Sequence, residues 1–196
     1  MCFIWAVTDT HMIPLGYMLK DVASPAPEWM KAPVVTAVHS LSNCVSSDFA
    51  DYIRLWKHNG WWLFDTPKAV KDAAASQGIA ADQLTLFYYE AYDQQYDDES
   101  KRWQRISADD SFATDVVLPT SAKLSGFDVV TFNAGTSPEC SPLSCNGLAA
   151  ELPVNDFCLF ASFEDAHAAL ERGEFKDCEP GPYQIVAVYQ VGSAVA

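Results

Sequence analysis

The feature that most constrains how this chain can fold is a short string that occurs twice. Leu63-Phe64-Asp65-Thr66 and Leu159-Phe160-Ala161-Ser162 lie half a chain apart, and each sets apolar residues before a hydroxyl residue. Thr or Ser there accepts a hydrogen bond from an otherwise free N–H of a helix's first turn. Pro67 follows the first string at the one helical position where a missing N–H costs nothing, and Gly78 and Gly173 supply the left-handed residues that end helices. A β-rich segment comes after each helix, Leu84 to Tyr96 in one case and Tyr183 to Val191 in the other. Two related strand-helix-strand halves predict an α+β fold: a mixed or mainly antiparallel sheet, helices packed on one face, and a groove between the halves. At 196 residues, positions 1–196 read as a single compact domain.

Other elements follow from local pattern. Apolar runs predict strands over 2–7, 61–64, 127–132 and 157–160, and the β-branched stretch Val34 to Val45 predicts another that carries His39. Pro25, Pro27 and Pro33 mark 21–33 as a connection. Phe49, Tyr52, Ile53 and Trp56 fall on one helical face. Asp97-Asp98-Glu99-Ser100 separates two β-rich segments as the tip of an antiparallel hairpin. Alternation in its first strand leaves about half of Phe87, Tyr88, Tyr89, Tyr92 and Tyr96 exposed if only one face is covered.

Composition narrows the partners. Twelve Lys plus Arg against 26 Asp plus Glu give a formal charge of −14, which repels phosphate backbones and anionic lipid. The expected partner is a protein or small-molecule ligand, with no nucleic acid and no membrane. Residues 1–7 lack the basic start of a signal peptide and no run reaches membrane-spanning length, so a cytoplasmic protein is expected. In that compartment the six cysteines are expected to be mostly free thiols rather than a disulfide framework.

The most site-like segment is Ser137-Pro138-Glu139-Cys140-Ser141-Pro142-Leu143-Ser144-Cys145-Asn146-Gly147, read as a fixed irregular loop because each proline restricts itself and its predecessor. Cys145 is the candidate nucleophile: Asn146 is placed to cap a helix from Gly147, and a helix N-terminus favours a thiolate. Spacing does not choose its base; of His11, His39, His58 and His167, we take His39 as the candidate. Glu139, Cys140, Ser144, Asn146 and Tyr89 are the candidate binding residues. Four-cysteine zinc ligation by Cys140, Cys145, Cys158 and Cys178 is disfavoured, since only the first two are closely spaced. No metal and no cofactor is therefore assigned, and no phosphate-binding glycine motif is present. The leading expectation is a non-enzymatic binding or regulatory protein using a groove near 137–147. The competing one is a cysteine-dependent hydrolase or transferase with Cys145 as nucleophile.

Overall fold

The computed structural model of the chain describes residues 11–49, 59–106, 115–133 and 137–192. The predicted strand over 2–7 and the predicted helical positions Tyr52, Ile53 and Trp56 lie outside them.

Six antiparallel strands form one sheet. They are β1 (Met12–Lys20), β2 (Thr85–Asp97), β3 (Arg102–Arg105), β4 (Ala122–Asn133), β5 (Ser137–Cys140) and β6 (Tyr183–Val191). The order is β1-β2-β6-β4-β5, with β3 paired to β2 as the predicted hairpin. The helices are α1 (Pro67–Ser76), α2 (Pro142–Cys145) and α3 (Phe163–Glu171). Thr66 Oγ1 accepts from Ala69 N at 3.0 Å and Ser162 Oγ from Asp165 N at 3.1 Å, so both predicted caps form. α1 packs on β1, whereas α3 packs on β4 and β6. This is the α+β architecture with an antiparallel sheet.

The central strands are covered on both sides. Phe87, Tyr88, Tyr89, Tyr92 and Tyr96 are all buried, which corrects the expected half exposure of this aromatic segment. Side chains from adjacent positions of a strand point to opposite faces, so burial of both Tyr88 and Tyr89 requires a covering layer on each.

Three predicted strands are absent. Residues 34–45 form irregular structure, and 61–64 and 157–160 are turns whose β contacts among the described residues are the isolated bridges Tyr17 to Phe64 and Phe127 to Phe160. The strand at 12–20 went unpredicted because Pro14 and Gly16 interrupt its apolar run. Pro14 is tolerated because β1 lies at the edge of the sheet, and a register shift separates Pro14 from Gly16.

The apolar turns run against β1 and β4 by the same contacts at both sites. Asn59 Nδ2 donates to Leu15 O at 2.8 Å while its Oδ1 accepts from Trp61 N and Leu63 N. Asn155 Nδ2 donates to Ser125 O at 2.7 Å while its Oδ1 accepts from Phe157 N and Leu159 N. Trp62 (φ 60°) and Cys158 (φ 63°) take left-handed backbone at matching places. Gly16 and Gly126 each let the turn approach: a Cβ would meet Phe64 O at 2.7 Å in one case and Phe160 O at 2.6 Å in the other.

Gly126 has φ +148° and Gly78 has φ +74°, but nothing lies within 4 Å of a Cβ built on Gly78. Gly126→Ala is therefore expected to lose about 3 kcal/mol or more of stability, from strain plus clash, and Gly78→Ala only about 1 kcal/mol. Urea denaturation of the two variants measures the difference.

Candidate functional site: a three-thiol cluster

Two long connections, one following β1 and one following β4, meet beside the sheet. Buried polar groups at their base hold them in register. Asp128, fully buried in β4, accepts from Leu41 N at 2.9 Å and from Ser141 Oγ at 2.7 Å, both through Oδ2. Ser141 Oγ also accepts from Ser42 N at 3.2 Å. Lys20, buried at the end of β1, donates to Leu41 O and Ser42 O at 2.9 Å each and to Asn43 Oδ1 at 2.8 Å. An ammonium with three close acceptors and carboxylates nearby is a satisfied buried charge. Burial lowers Lys20 to about 8 while Asp48 and Asp128 oppose it. Burial raises Asp128 to about 7 against its hydrogen bonds from Ser141 and Leu41. Its Oδ1 is buried with no hydrogen-bond partner.

This scaffold brings Cys44, from the first connection, against Cys140 and Cys145, from the second. The three Sγ atoms all lie within 4.8 Å of one another. Cys145 Sγ is 3.3 Å from Ser42 Oγ, and Cys140 Sγ is 3.4 Å from Asn146 Oδ1. Cys44 is exposed, Cys145 half-buried and Cys140 buried, so the cluster opens to solvent on its Cys44 side. Hydrogen bonds from Cys140, then from Cys44 and Ser42, hold Cys145 well below the usual thiol range despite its burial. Cys140 moves the other way, through its hydrogen bond to Cys145 and its burial. The first proton lost from the cluster is shared among coupled thiols, and the direction of these shifts favours Cys145 as the one that carries the charge.

The segment differs from an irregular loop: it is a short strand, β5, followed by the one-turn helix α2. Cys145 is the last residue of α2, and Gly147, at φ 72°, begins only the 3-10 turn Leu148–Ala150. The expected helix from Gly147 does not lie ahead of Cys145, so thiols and Ser42 take over the role assigned to a helix N-terminus. Among the other candidates, Asn146 lies at the cluster and Glu139 is exposed, its carbonyl 3.8 Å from Cys44 Sγ. Ser144 is fully buried and donates to Ser141 O at 3.1 Å. Tyr89 is fully buried within the core.

His39 is buried, with Nδ1 3.1 Å from Ser125 Oγ and its ring stacked on Phe157 at 4.3 Å between centroids. Of the four cysteines considered for zinc, Cys158 is buried with its Sγ 3.9 Å from Met30 Sδ, away from the cluster. Cys178 also stands outside the three-sulfur group, and burial with Glu179 and Asp177 raises it to about 11. Cys44 was the partner that sequence reasoning missed. Its only signal was a cysteine beside the polar string Ser40 to Asn43, and nothing in the spacing tied it to Cys140.

Comparison with protein-family models, curated proteins and solved structures returns no match to this chain. No helix among the described residues is long and apolar enough to cross a membrane.

Burial lowers His39 from its usual 6.5 to about 4. Its unfolded form therefore binds the extra proton between those values, and stability rises with pH across that window. The contribution is complete above pH 6.5 and lost as pH falls toward 4, by up to about 3 kcal/mol. His39→Gln should flatten this segment of the stability-pH profile, measured as urea midpoints at successive pH values.

Proposed function

We propose that the chain is a regulatory protein that responds to hydroperoxides through its thiol cluster, with Cys145 as the sulfur that reacts first and Cys140 as the one that resolves it. The observation carrying this reading is the convergence of three sulfurs from two connections. A thiolate beside thiols, open to solvent on one side, is the arrangement in which thiol oxidation is selective. The Cys145 thiolate attacks the peroxide O–O bond, forming Cys145–SOH and releasing an alkoxide, or hydroxide from hydrogen peroxide, which takes a proton. The Cys140 thiol then displaces water from the sulfenic sulfur, its proton leaving with that water, to give a Cys140–Cys145 disulfide. Two electrons pass from the two sulfurs to the peroxide.

The site lies between equivalent parts of the chain in this reading. We take the strand, connection, turn and helix from β1 through α1, followed by β2, and those from β4 through α3, followed by β6, as copies of one unit with their helices on one face. The repeated Asn clamps and close-approach glycines support this. Each unit lends its connection to the cluster, so a bond formed there ties one connection against the other and offers a signal to a protein partner. The reducing interior of a cell is the setting in which such a switch starts with free thiols.

A second reading, a cysteine-dependent hydrolase or transferase with Cys145 as nucleophile, draws on the same thiolate. It needs a general base, and the Nδ1 of His39 is engaged with Ser125.

The expected outcome of brief treatment with hydrogen peroxide is loss of two hydrogens per chain, reversible by a dithiol. Peptide mapping should place the bond between Cys140 and Cys145. Cys145→Ser should abolish it and Cys178→Ser should leave it intact. Sulfenate formation spread evenly over Cys44, Cys158 and Cys178 would reject the assignment, and turnover of acyl substrates lost in Cys145→Ser would favour the second reading.

A further inference from the structure

We propose that Cys44, Cys140 and Cys145 together form a binding site for one thiophilic d10 cation, Zn2+ or Cu+, held between the two connections. The inference goes beyond the peroxide reading and does not need it, because coordination uses the three sulfurs reduced and unbonded to one another.

Geometry is the first argument. A Zn–S bond of about 2.3 Å at tetrahedral angles requires sulfurs about 3.8 Å apart. The three Sγ atoms already lie within 4.8 Å of one another, so a shift of about 1 Å or less per contact closes the set. Soft thiolate ligands select Zn2+ and Cu+ over the hard cations, which take oxygen. Cys44 is exposed, and this leaves one side of the cluster free for a water or an exogenous donor in the fourth position of Zn2+, as in sites that exchange what they bind.

Preorganisation is the second. Lys20 and Asp128 grip Leu41, Ser42, Asn43 and Ser141 by hydrogen bonds of 2.7 to 2.9 Å, so the residues flanking the ligands are fixed before a cation arrives. The gain of binding is then not spent on ordering the loops.

Charge is the third. Three thiolates around a divalent cation carry a net charge of −1, and around a monovalent one −2. The buried Lys20 ammonium interacts favourably with both Cys44 and Cys145 and offsets part of that charge. Asp128 Oδ1, fully buried and without a hydrogen-bond partner, belongs to a carboxyl that feels the charge of Cys145. A cation among the thiolates would relieve that repulsion.

Cys158 and Cys178 lie outside this group, so the ligand set differs from any four-cysteine arrangement of the second half alone. The site exists only where the two connections meet.

The test uses the full chain, reduced and under anaerobic conditions. It is titrated separately with Zn2+ and Cu+ against a chromophoric chelator for each, and with Co2+ to detect thiolate-to-metal charge-transfer absorption. One equivalent per chain is expected, together with the charge-transfer band. Cys44→Ser and Cys145→Ser should each weaken binding at least ~10-fold and remove the band, while Cys178→Ser should match the parent. Cys44 is exposed, so its replacement should leave circular dichroism and the urea midpoint unchanged and keeps the test clear of misfolding. The proposal is overturned if neither binds stoichiometrically, or if Cys44→Ser binds like the parent. A chain that forms the Cys140–Cys145 disulfide with peroxide but binds neither cation when reduced keeps the oxidation reading and rejects this one. A chain that binds the cation but forms no disulfide does the reverse.

Discussion

The close approach of two turns to strands β1 and β4, made at Gly16 and Gly126, is the constraint on which the rest of the structure depends. A β-carbon at either position would enter the space of the facing carbonyl oxygen, Phe64 O or Phe160 O. Because that space is empty, the backbone of each turn hydrogen-bonds to its strand: Tyr17 N to Phe64 O at 2.8 Å and Phe127 N to Phe160 O at 2.9 Å. The turn then ends in a capped helix whose starting point is fixed relative to the sheet. Asn59 and Asn155 complete the arrangement by bonding both the strand and their own turn, satisfying polar groups that would otherwise be buried unpaired.

Anchoring the turns leaves the chain between β1 or β4 and its turn as a long connection, and the thiol cluster forms where the two connections meet. Buried charge organises it. Neither Lys20 nor Asp128 would be stable in a core alone, since an isolated charge in a low-dielectric interior is penalised far more than a single hydrogen bond returns. Their partners are backbone and hydroxyl groups of the connections, so satisfying the charges and positioning the thiols are the same event. The two proposed uses of this arrangement differ, since peroxide chemistry would form a sulfur–sulfur bond and cation binding would keep the sulfurs apart.

Much of the local structure was legible in the residues themselves. Thr66, Ser162 and Pro67 marked helix starts because capping acts over one turn of chain. The β2–β3 hairpin was legible because its strands flank a short polar tip. The helix expected from Gly147, the local reason for singling out Cys145, is only a 3-10 turn in the structure. The strands expected at 34–45, 61–64 and 157–160 failed because an apolar run reports burial without saying which backbone geometry delivers it. In those segments the chain satisfies its polar groups through Asn59, Asn155, Lys20 and Asp128 instead of a ladder.

The sequence alone therefore determined the two capped helices that follow Thr66 and Ser162, the hairpin and the acidic balance, all of them properties of near neighbours or of the whole composition. Tertiary structure decided that Cys44 joins Cys140 and Cys145, that Cys158 and Cys178 do not, and that Tyr89 belongs to the core. Contacts between residues separated by half the chain depend on how strands pair and on where buried charges find their partners. Neither is written in the spacing of cysteines.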